Sequence, residues 1–185
     1  MKKLALMLML VILPSAALAQ DGTWTFGAIG TSDYRLDAVS STDIFAGTLP
    51  ANDPTLNLTI GKRYQATVAA GHPLAILAKG ATSAADTVLL VQGAATGTLE
   101  ADPGINWVEA GSTVTFTLTQ TLVNAMNVSG IPGYRCNAHP SGMRGNFNII
   151  TPPAVPLLDP PAWMALAAVI LGATAWLVRP RRRAA

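Results

Sequence analysis

The stretch that decides the reading is Tyr134-Arg135-Cys136-Asn137-Ala138-His139-Pro140-Ser141-Gly142-Met143-Arg144-Gly145. It holds the one cysteine of the chain and one of its two histidines; the other is His72, in Ala70-Gly71-His72-Pro73-Leu74. A thiolate, then an imidazole three residues on and a thioether four residues further, can wrap one ion from a single loop. Thiolate and thioether sulfurs suit soft cations and imidazole suits several transition metals, whereas calcium and magnesium take oxygen ligands. Each residue alone has a plainer role. A buried cysteine usually behaves as a small apolar side chain, His72 would be structural and Met143 core filler. Jointly they match one metal's preferences, and His72 is the histidine left to complete the set.

Working outward, the flanking sequence is β-like. Leu56–Ile60 and Tyr64–Val68 alternate apolar and polar residues on either side of Gly61-Lys62. Thr87–Gln92 is an apolar run, and Ser112–Thr119 sets Val114, Phe116 and Leu118 against threonines. Gly145–Ile150 closes the series. Short runs rich in Val, Thr and Phe, broken by Gly, Pro, Asp and Asn, predict an all-β sandwich. No amphipathic helix of useful length is expected in this part. Trp24, Phe26 and Tyr34 lie in a segment, 20–54, for which the sequence suggests no role.

The two ends carry different signals. Lys2 and Lys3, the apolar run Leu4–Leu13 and then Ala17-Leu18-Ala19 form the three-part pattern of a secretory signal, 1–19, cleaved before Gln20. Prolines 152, 153, 156, 160 and 161 mark an extended spacer, 152–160, before an uncharged apolar stretch, 161–178, with Trp163 and Trp176 near its ends. That stretch is long enough for a transmembrane helix. The tail 179–185, with Arg179, Arg181, Arg182 and Arg183, should stay in the cytoplasm and leave the rest of the chain outside. The end resembles the C-terminal sorting signals of exported bacterial proteins, with Val155-Pro156-Leu157-Leu158 as the motif and Leu157 where glutamate is commonest. Release by a sorting enzyme would follow from that resemblance.

Charge narrows the function further. Between 20 and 160 stand six cations and ten anions, so this part is acidic at −4 although the whole chain is +2. Nucleic-acid binding loses its electrostatic basis. A lone cysteine makes no internal disulfide, and neither histidine sits in a nucleophile-elbow or zinc-protease pattern. The chain is therefore not expected to be an enzyme, and no small-molecule substrate is evident.

Cys-His-Met with a second histidine is the ligand set of a blue-copper site. Zinc also takes Cys and His, but more often adds a carboxylate or another Cys than a Met. From Tyr134 to Ile149 the chain resembles the copper loop and last strand of plastocyanin-like cupredoxins, with Cys-x-x-His-x-x-x-Met followed by Gly145-Asn146-Phe147-Asn148-Ile149. Gly61-Lys62-Arg63-Tyr64 leading to His72-Pro73-Leu74 is similar to the early ligand strand of the single-domain bacterial forms. The resemblance implies a Greek-key sandwich over 20–151 and one type 1 copper ion. His72, Cys136 and His139 would be its equatorial ligands and Met143 the axial one. It also implies a one-electron carrier with a redox protein partner, which the signal at 1–19 and the C-terminal tail would put at the extracytoplasmic face of the cytoplasmic membrane. Two other functions fit the same residues: copper storage or delivery without electron transfer, and a structural surface protein on this fold.

Overall fold

The computed structural model describes residues 19–153. Eleven strands and one helix follow in order: β1 (Gly22–Ile29), β2 (Asp33–Val39), β3 (Ala51–Asn52), β4 (Leu56–Thr59), β5 (Arg63–Val68), β6 (Leu74–Lys79), β7 (Thr87–Val91), β8 (Val108–Ala110), β9 (Thr113–Thr117), α1 (Gln120–Val128), β10 (Ile131–Cys136) and β11 (Arg144–Ile150). A short 3-10 turn, Ser83–Ala85, stands between β6 and β7. The strands form two sheets, β3-β2-β1-β5-β9-β8 and β4-β11-β10-β6-β7. This two-sheet, mostly β architecture is compatible with the cupredoxin-like sandwich expected from sequence.

All five expected strands are present, within a residue or two of their expected ends. Strands β4 and β5, joined by Ile60-Gly61-Lys62, nevertheless part company: β4 runs parallel to β11 in one sheet, and β5 runs between β1 and β9 in the other. The chain therefore changes sheets at this turn.

The segment 20–54 supplies β1, β2 and β3. Trp24 and Phe26 alternate inward along β1, and Tyr34 and Leu36 do so along β2. Phe26 stacks on Tyr34 at 4.8 Å and on Tyr134 at 5.0 Å between ring centres. Since Tyr134 belongs to β10 of the other sheet, this aromatic layer joins the two sheets through one core.

Strand β6 is buried from Leu74 to Ala78 because it is covered on both faces. Leu74 and Ile76 enter the main core, while Ala75 and Leu77 join Val91 and Val88 in a smaller cluster.

The helix α1 corrects the expectation that this part holds none. Thr119 starts it, its side chain accepting from the Leu122 N–H at 3.1 Å, and Leu122, Val123 and Met126 bury one side. Nine residues give barely two and a half turns, too short for a 3.6-residue period to stand out beside a threonine-rich strand.

The signal at 1–19, the spacer at 152–160, the apolar stretch at 161–178 and the tail at 179–185 lie outside the described residues, apart from Ala19, Pro152 and Pro153. No helix among the described residues is long and apolar enough to cross a membrane.

Truncating Phe26 to alanine should cost about 3–5 kcal/mol, a large part of a typical domain's stability. Urea denaturation of the two proteins would measure it. A second expectation concerns Asp53, whose carboxylate accepts the Tyr34 N–H at 3.0 Å while its own N–H donates to the Tyr34 carbonyl at 2.8 Å. Burial raises its pKa above the ordinary 3.8, against backbone hydrogen bonds from Tyr34 and Arg144. The folded state therefore holds this proton to higher pH than the unfolded chain, and stability falls as pH rises from about 4 through the raised value. Asp53→Asn, which can still accept from Tyr34, should leave stability at pH 7 equal or higher. It should also flatten that part of the stability profile, as thermal unfolding between pH 4 and 7 would record.

Candidate metal centre

Cys136 is the last residue of β10, and its register with β6 sets the site. Cys136 stands opposite Leu74, two residues after His72. The loop that follows Cys136 then turns back into β11, closed by the Cys136 N–H donating to the Met143 carbonyl at 2.9 Å. Within it, the Met143 N–H reaches the His139 carbonyl at 3.4 Å. Across to the other ligand loop, the Asn137 N–H donates to the Pro73 carbonyl at 2.8 Å. Pro73 thus has no N–H to offer, yet its carbonyl ties the two ligand segments together.

All four sequence-predicted ligands come together. The ligand atoms of His72, Cys136 and His139 lie within 4.8 Å of one another. Cys136 Sγ is 3.5 Å from His139 Nδ1 and 3.8 Å from His72 Nδ1. Two ligands on one ion, with bonds of about 2.0–2.3 Å at tetrahedral to trigonal angles, stand ~3.5–3.8 Å apart. Met143 Sδ adds a fourth donor, 3.2 Å from His72 Nδ1. The sulfur residues are fully buried and both histidines half-buried, their rings 4.9 Å apart. Burial, and then the neighbouring His139, lowers the His72 pKa, which favours the neutral imidazole that a metal requires. The arrangement can hold a metal ion, and two sulfurs with two imidazole nitrogens are donors of the right chemistry for copper.

Several residues that support the site carry no local signal in the sequence. The Tyr34 hydroxyl donates to the His72 carbonyl at 2.7 Å, pinning the first ligand loop from β2. Burial, with a further contribution from Cys136, holds that hydroxyl well above its ordinary pKa and keeps it a donor. The Tyr134 hydroxyl donates to the Pro54 carbonyl at 2.7 Å. Gln92 accepts the Leu74 N–H at 3.2 Å and donates to the Gly111 carbonyl at 2.9 Å, fixing the start of β6 behind His72. Gly142 lets the ligand loop approach the turn between β1 and β2, where a Cβ would meet the Thr31 and Ser32 carbonyl oxygens at 2.8 Å. Asp86 binds both Arg135 and Arg144, the residues next to Cys136 and Met143. A shallow cavity of about 360 Å³ opens beside His72, lined in part by Val68, Pro73, Gln92 and Gly111.

Compared with known proteins, the chain matches no family model and no curated relative.

Replacing Tyr34 by phenylalanine keeps the stacked ring and removes the hydrogen bond to the His72 carbonyl. A loss of about 0.5–1.5 kcal/mol is expected, together with faster amide exchange at Gly71 and His72. Denaturation and exchange measurements on the ion-free protein would check both.

Proposed function

We propose that this chain is an exported type 1 copper protein of cupredoxin-like Greek-key fold, held at the outer face of the cytoplasmic membrane and serving as a one-electron carrier. One observation carries the reading: a buried cysteine sulfur, two imidazoles and a thioether, drawn from two distant segments, converge at metal-ligand spacing. His72, Cys136, His139 and Met143 would hold the ion. Copper bound there would supply one-electron chemistry.

The protein's own part is to hold the donors in place. Backbone hydrogen bonds at Cys136, Asn137 and Met143, and the Tyr34 hydroxyl on the His72 carbonyl, fix the ligand segments independently of any ion. Donors already in place leave little to rearrange when charge changes. Four protein ligands leave no position for a substrate, which favours a carrier over an enzyme. The half-buried His139 and Pro140, beside the exposed Ala138, offer a face on which a redox protein partner could dock. Export and tethering are supported by the signal pattern at 1–19 and by the apolar stretch and arginines from 161 onward.

The test is a visible absorption spectrum of the purified protein loaded with Cu(II), beside Cys136→Ser. An intense thiolate-to-copper band in the red, absent from the variant, is the expected result. Stoichiometric copper uptake without colour would move the assignment to storage or delivery, or to a zinc site. No uptake of any metal would end the copper reading.

A further inference from the structure

Arg135 and Arg144 stand directly opposite each other on the last rung of the β10–β11 pair. The next residue outward along the chain on each side is a proposed ligand, Cys136 at the end of β10 and Met143 just before β11. Directly opposed residues in a sheet hold their Cβ atoms about 4.5–5.5 Å apart on one face, and like charges placed so are destabilising. Left to themselves, the two guanidinium groups would push apart the base of the metal loop.

Asp86 prevents this. It arrives from the connection between β6 and β7, immediately after the 3-10 turn, and its side chain is 0% exposed. Each carboxylate oxygen takes one arginine: Oδ2 accepts from Arg135 Nη1 at 2.7 Å, and Oδ1 accepts from Arg144 Nη2 at 2.6 Å. The Gly80 N–H also donates to Oδ1, at 2.9 Å. The arginines complete the enclosure by donating to the Ser83 and Gly80 carbonyls at 2.8 and 3.1 Å. Surface ion pairs contribute little, but this carboxylate is enclosed, and removing one partner from a buried charged set is costly.

We infer that Asp86 is a positioning residue for the metal loop, its carboxylate clamping Arg135 to Arg144 so that Cys136 and Met143 keep their spacing whether or not an ion is bound. Its consequence for metal retention rests on the copper reading; its consequence for the ion-free loop does not. A plain structural staple for the β6–β7 connection would stabilise the fold without acting on the loop in particular. The two roles differ in what a second substitution does. Asp86→Asn leaves two opposed cations, whereas Asp86→Asn with Arg144→Gln removes the opposition and restores the cluster's charge of +1.

The experiment compares the full-length protein with these two variants by amide exchange of residues 137–142 without metal, and by the rate at which loaded Cu(II) passes to excess EDTA. Asp86→Asn should speed both by about tenfold, equivalent to about 1.4 kcal/mol. The double variant should return both most of the way to wild type. Unchanged loop exchange in Asp86→Asn, or equal loss in the single and double variants, overturns the inference. Should Asp86→Asn not fold, Asp86→Glu takes its place: faster exchange confined to the loop supports the clamp, and a uniform increase through β1 and β2 overturns it. A wild-type protein that binds no copper would remove the copper reading alone, because the exchange comparison still tests the clamp.

Discussion

The pairing of Cys136 with Leu74 is the constraint from which the rest of the site follows. Strand β10 lies between β11 and β6, so one strand carries the cysteine, begins the loop with His139 and Met143, and sits beside the segment bearing His72. Side chains alternate along a strand, and a slip of one residue would turn Cys136 to the opposite face. Register is held here from both faces. Leu74, Ile76 and Tyr134 are locked into the main core, and Arg135 on the other face is tied to Asp86.

Beneath the ligands lies an aromatic layer that also carries polar handles. Tyr34 and Tyr134 are both buried against Phe26, yet each spends its hydroxyl on a backbone carbonyl of a loop, His72 for one and Pro54 for the other. The same rings that join the sheets thereby fix loops at the ligand end of the molecule. Rigidity at the site is thus a property of the core rather than of the loop alone.

Electrostatically the centre is lopsided. Two arginines share one carboxylate beside Cys136 and Met143, leaving a net positive cluster under an otherwise acidic domain. Polar surroundings of this kind tune a metal site as much as its direct ligands do.

The candidate donors were legible in the sequence because cysteine, histidine and methionine are scarce and chemically distinctive, and three of the four share one short loop. The five strands were legible because short apolar or alternating runs, broken by Gly, Pro, Asp and Asn, mark them. Segment 20–54 was not, since its alternation of Trp24 with Phe26 and of Tyr34 with Leu36 has meaning only against the rings it meets in the other sheet. The helix at Gln120–Val128 was hidden by its shortness. Asp86 was invisible for a deeper reason: its arginine partners lie 49 and 58 residues away, and nothing near it marks the pairing. The sequence by itself determined which atoms could bind a metal and that the chain would build sheets. The tertiary structure alone decided that His72 meets Cys136, that Tyr34 holds the first ligand loop, and that one buried carboxylate braces the second. These are contacts between distant segments, and only strand register brings them together.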